Sequence, residues 1–114
     1  MDKKQAIAVA EKFAERVAKE FNPRQILLFG SYLDGTYREC SDIDMAIIFD
    51  KDCEPDSWSK AGSRMYAIRR EIKNTDIEPH LLRFSDDDPT DLAHRVMETG
   101  KMLYPKNICH KLHR

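Results

Sequence analysis

The chain has 114 residues, enough for one compact domain and too few for two ordinary ones. Hydrophobic residues make up 41% and charged residues 34%, a balance of soluble globular chains, and no run approaches the roughly 20 apolar residues that a bilayer crossing needs. A formal net charge of -1 lacks the basic excess of a general nucleic-acid binder, yet it is compatible with a small anionic ligand held through metal ions.

The start, Met1-Asp2-Lys3-Lys4, has neither the apolar core nor the cleavage site of a signal peptide, so a cytoplasmic location is expected. Cys40, Cys53 and Cys109 are odd in number and widely spaced, which reads as reduced thiols rather than a disulfide framework.

From Lys3 to Phe21, Ile7, Ala10, Ala14, Val17 and Phe21 recur at helical spacing, with Lys and Glu on the other face. Asn22-Pro23 stops that helix, because proline cannot continue the hydrogen-bond ladder and restricts the residue before it. "QILLF" is a short apolar strand ended by Gly30-Ser31, and "YLDGTYREC" reads as a loop or short helical turn around Asp34-Gly35.

"SDIDMAIIF" alternates. Ile43, Met45, Ile47 and Phe49 fall on one side, and Asp42, Asp44, Ala46 and Ile48 on the other. "DKDCEPDS" breaks the chain, and Asp56 or Ser57 caps a helix whose stripe is Trp58, Ala61, Met65, Ile68 and Ile72. Arg64, Arg69, Arg70 and Lys73 read as its solvated face.

"DIEPHLLRF" is a third strand, and Pro79 puts it at an edge or a bulge. "SDDDPTDLAHRVMETG" reads as a capped helix ending at Gly100, with Leu92 and Val96 inward and Asp86-Asp87-Asp88 at its favourable dipole end. "KMLY" adds a short last strand. The expected architecture is a small mixed β-sheet packed against helices, of α/β or α+β class. Residues 1–104 form its one domain, and 105–114 a tail whose Cys109, His110 and His113 lack the second pair of a metal site.

Two ionised carboxylates on one strand face repel each other, and burying them costs several kcal/mol per ion unless cations or hydrogen bonds compensate. Magnesium supplies that compensation, since it favours carboxylate oxygens and substrate phosphates. With a third carboxylate from an adjacent strand, Asp42 and Asp44 would hold two ions about 3.5–4 Å apart. Gly30 lets the backbone approach closely, and the Ser31 hydroxyl can donate to phosphate oxygens.

Phe29-Gly30-Ser31, ten intervening residues and Asp42-Ile43-Asp44-Met45 together resemble the signature of the polymerase β-type nucleotidyltransferase superfamily, in particular its minimal nucleotidyltransferase group. The likeness extends from the leading helix to "ETGKMLYP" and implies a nucleotidyltransferase-like fold. It implies transfer of a nucleoside monophosphate, AMP from ATP, to an acceptor hydroxyl with release of pyrophosphate. Asp42 and Asp44 would bind both metals, while Gly30, Ser31 and Arg38 would hold the triphosphate.

The family's third metal carboxylate lies on the third strand, where Asp76 and Glu78 alternate onto one face. Glu78 is favoured by its place in the "IEP" run, with Asp76 as the fallback. Its carboxylate would bind the catalytic metal and take the hydroxyl proton. His80 shares that face and reads as a solvated or structural histidine.

So small a member of this group would work with a helical HEPN-type partner, as the antitoxin of a toxin–antitoxin pair that modifies the partner. A homodimer through the last strand or an edge is compatible with the pattern. The alternative is a binding module that keeps the fold and complexes a partner without catalysis.

Overall fold

The computed structural model describes residues 2–30, 35, 42–72, 76–85, 87 and 91–105. Seven elements follow one another: α1 (Lys3–Phe21), β1 (Gln25–Phe29), β2 (Ile43–Phe49), α2 (Trp58–Glu71), β3 (Ile77–Arg83), α3 (Leu92–Thr99) and β4 (Lys101–Tyr104). Their order is the one the sequence pattern predicts.

Local chemistry sets the helix ends. The Asp2 carboxylate accepts from the Gln5 N–H at 2.8 Å while the Gln5 side chain accepts from the Asp2 N–H at 2.9 Å, so two orphan donors of α1 are satisfied reciprocally. At the other end Asn22 turns left-handed (φ 48°, ψ 56°), its N–H still bonded to the Ala18 carbonyl, and Pro23 follows. Ser57 caps α2 by accepting from the Lys60 N–H at 3.2 Å, and Asp91 caps α3 by accepting from the His94 N–H at 2.9 Å.

The four strands form one mixed sheet in the order β3-β2-β1-β4. β1 runs antiparallel to both β2 and β4, while β2 and β3 are parallel and joined through α2. A parallel pair needs such a crossover, which is why a helix separates these two strands in sequence. Pro79 sits in β3 at an open edge of this sheet, where a missing N–H leaves no ladder bond unmade.

Each face of the sheet has its own core. Ile43, Met45, Ile47 and Phe49 of β2 pack with Phe13 and Val17 of α1 and Met65 and Ile68 of α2. Ala46 and Ile48 point the other way, onto Leu27, Ala93 and Val96. Burying a large side chain of this kind contributes roughly 1.5–3 kcal/mol each, so β2 anchors both layers. Along β2 every residue is buried except Asp44.

Gly100 closes α3 against the sheet. A Cβ there would lie 2.8 Å from the Val96 carbonyl oxygen and 3.1 Å from that of Leu28, so only glycine lets the chain turn so tightly into β4. Two sequence expectations change. Leu92 is 48% exposed rather than inward, because Asp91 caps the helix and the buried stripe falls on Ala93 and Val96. Arg64 and Arg69 are engaged rather than merely solvated: Arg64 pairs with Glu20 of α1, and Arg69 donates to the Ile77 carbonyl at 3.0 Å. Among the described residues no helix is long and apolar enough to cross a membrane. The tail beyond residue 105, Lys73, Asp86, Asp88, Cys40 and Cys109 lie outside the described residues.

Candidate active site

The site grows from one end of the central strands. β1 brings Phe29 opposite Asp44 in the antiparallel ladder, and Gly30 follows at once with φ +85°. Two separate constraints demand glycine there. A side chain rarely adopts that conformation, and a Cβ would collide with Asp44 Oδ2 and lie 3.2 Å from its Cγ. Gly30 is therefore the floor on which the Asp44 carboxylate rests.

Asp42 directly precedes β2, and Asp44 lies within it, two residues along and so on the same side. Across the parallel ladder Asp44 pairs with Glu78, and Ala46 with His80. Neighbours in register share a face, which brings Glu78 and His80 to the side of the sheet that carries Asp44. Asp76 stands just before β3, its carbonyl accepting from the Ile43 N–H at 2.7 Å. Ser31 and Arg38 lie outside the described residues.

The Asp44 carboxyl, 28% exposed, is pushed above the ordinary carboxylate range. Burial is the largest cause, and the negative charges of Asp42 and Glu78 push the same way. His80 opposes them, with Nε2 3.3 Å from Asp44 Oδ1. The Phe29 ring meets the His80 ring edge-on at 5.3 Å and helps hold it over the carboxylate. His80 is thus part-exposed and at the same time bonded to Asp44.

A second partner arrives from the opposite layer. Tyr66 of α2 donates its hydroxyl to Glu78 Oε1 at 2.8 Å, and this bond, with burial, raises the phenol above its usual range. The Arg69 guanidinium lies 4.7 Å over the Tyr66 ring while bonded to the β3 backbone at Ile77. Nothing in the sequence pattern singles out Tyr66, which reads as one more surface position of a helix.

The ligands expected from the sequence, Asp42, Asp44 and Glu78, would offer carboxylate oxygens, the chemistry that suits magnesium rather than a softer metal. Burial is the main reason that Asp44 lies above its ordinary range, with Asp42 and Glu78 adding to it and His80 opposing. A hard divalent cation would suit these oxygen donors in kind. Among the described residues, however, no three His, Cys, Asp or Glu side chains are gathered closely enough to hold one as they stand. Glu78 is bonded to Tyr66 and Asp44 to His80.

Known proteins place this geometry in context. A family model described as polymerase beta nucleotidyltransferase matches residues 11–108. Comparison with functionally curated proteins returns no significant match. Among solved structures, a protein from Sulfolobus solfataricus provisionally described as a nucleotidyltransferase superposes with a TM-score of 0.56 at 22% identity, covering 88% of this chain and 80% of its own.

A toxin–antitoxin solved with AMP-PNP gives a TM-score of 0.56 at 23% identity, covering 90% of this chain and 78% of its own. A mutant of the toxin–antitoxin MntA–HpeT, with two aspartates changed to glutamate, gives 0.55 at 21% identity over 90% and 78% of the two chains. At these identities the likeness is one of fold.

Proposed function

Because the chain belongs to the polymerase β nucleotidyltransferase family, we propose that it is a magnesium-dependent enzyme transferring AMP from ATP to an acceptor hydroxyl, with release of pyrophosphate. The observation that carries this reading is the Gly30 backbone beneath the Asp44 carboxylate, with Glu78 beside Asp44 in the parallel register. A glycine floor, a buried-strand aspartate and a carboxylate in register across a parallel pair gain nothing structurally from being together.

Magnesium, when bound, would neutralise phosphate charge and make the acceptor hydroxyl easier to deprotonate. Asp42 and Asp44 would hold it, with Glu78 as the third ligand. Glu78 also takes the acceptor proton as the new oxygen–phosphorus bond forms and the bond to the leaving pyrophosphate breaks. Gly30 brings the backbone close to the triphosphate, with Ser31 and Arg38 as its further contacts. The unit doing this is the domain of residues 1–104.

The same fold occurs in two toxin–antitoxin structures, one with a bound ATP analogue and one altered at two aspartates spaced like Asp42 and Asp44. They support an antitoxin role, in which a helical HEPN-type partner carries the acceptor hydroxyl. The second reading, a non-catalytic module that binds such a partner, is favoured by one observation: Asp44 and Glu78 are already engaged by His80 and Tyr66.

Incubation with α-labelled ATP, magnesium and the product of an adjacent HEPN-type gene tests the choice. Label on the partner that disappears with Asp44→Asn is the expected result. A tight complex with no label from either form favours the binding module.

A further inference from the structure

Glu78 is one methylene longer than aspartate and sits on an edge strand, so its carboxylate has more positions open to it than Asp44 does. One of these is fixed by Tyr66, which comes from the helix layer on the other face of the sheet and reaches Glu78 past the open edge of β3. Tyr66 is itself held, with Arg69 over its ring and Arg69 bonded to the Ile77 carbonyl in the strand that carries Glu78. Register places Glu78 directly beside Asp44, yet among the described residues no three possible ligand side chains converge into an ion-binding group.

We propose that Tyr66 is a positioning residue that holds Glu78 back from the aspartate pair until a divalent cation draws it in. The inference rests on the proposed metal role of Glu78 and adds to it a built-in cost of closing the site. A ligand that binds only the closed arrangement has its affinity reduced by the fraction of molecules that are closed. A hydrogen bond to a charged group that must break first is the source of that cost. Tyr66 then sets the cost of bringing Glu78 to the cation without touching substrate.

Calorimetric titration of Mn2+, without nucleotide, into the full chain and its Tyr66→Phe variant tests this. The variant keeps the ring beneath Arg69 and removes only the hydroxyl. Tightening of Mn2+ binding by roughly three- to tenfold is expected. In a Glu78→Ala background the same change should have no effect, because Tyr66 acts only through that carboxylate. A tyrosine ultraviolet difference signal on adding Mn2+, missing in Tyr66→Phe, should accompany binding.

Weaker or unchanged binding by Tyr66→Phe overturns the inference while leaving the metal site standing. Equal tightening in the absence of Glu78 overturns it too. If the unaltered chain and Tyr66→Phe both fail to bind Mn2+, the metal reading falls and this inference with it.

Discussion

Two clusters of charge in this molecule obey opposite rules. Between α1 and α2, Arg64 grips Glu20 through Nη2 at 2.6 Å and Nε at 2.7 Å, and Glu71 is paired with both Arg16 and Arg64. Every carboxylate there has a guanidinium, and both Glu20 and Glu71 are held below the usual carboxylate range, first by their side-chain bonds to arginine. At one end of β2, Asp44 is held above that range by burial and by Asp42 and Glu78, with His80 opposing them.

The first cluster joins two helices and is complete. The second holds a partly buried carboxylate in register with another, and perturbed groups of that kind cluster at functional sites.

The largest effect should come from removing charge at the Asp44 cluster. Asp44→Asn keeps the shape and removes the negative charge, so transfer activity should fall to background while the melting temperature at neutral pH rises. Labelled transfer and thermal unfolding check the two halves. A rise in stability alongside a loss of function is the signature of a group kept for chemistry.

Gly30→Ala should come next. Forcing a side chain into φ +85° costs on the order of 1–3 kcal/mol, and the new methyl displaces the Asp44 carboxylate. Denaturant unfolding should register that cost, and Mg-ATP affinity should drop about 10-fold or more.

Acid separates the clusters by sign. The folded state holds the Asp44 proton more tightly than the unfolded state does, so the penalty of its charge is present above its raised folded value and disappears as the pH falls through it. The stability gained in Asp44→Asn at pH 7 should therefore vanish below the ordinary aspartate value of 3.8. Glu20 and Glu71 behave the other way. Their contribution is complete above the ordinary value of 4.5 and is lost as the pH falls through their depressed folded values.

The smallest effect belongs to Arg64→Ala, which should lower the melting midpoint less than Gly30→Ala does. Because these side chains are well exposed, raised salt should shrink the difference further. A salt-insensitive loss larger than that of Gly30→Ala would erase the contrast between the clusters.

Much of this arrangement was legible in the chain. The alternation of "SDIDMAIIF" put Asp42 and Asp44 on one side of a strand, the Asp56-Ser57 pair announced α2, which Ser57 caps, and Pro79 pointed to an edge or a bulge, of which the edge is found. Local rules govern these features, so local sequence reveals them. His80 was already on the face of Glu78 by period two, but its meeting with Asp44 depends on the parallel register of β2 and β3, a long-range fact.

Tyr66 was hidden more deeply. Its bond to Glu78 runs between layers round a sheet edge, and no periodicity encodes such a path. Leu92 misled because it shares a helix side with Val96 by spacing, whereas the side of α3 that packs on the sheet carries Ala93 and Val96.

Calorimetric titration of ATP with magnesium into the chain and its Asp44→Asn variant, under matched conditions, tests the central claim most directly. Binding that requires magnesium and is lost in the variant is the predicted result. Binding of equal strength in both, or binding indifferent to magnesium, would contradict the assignment of Asp42, Asp44 and Glu78 as a metal-nucleotide site.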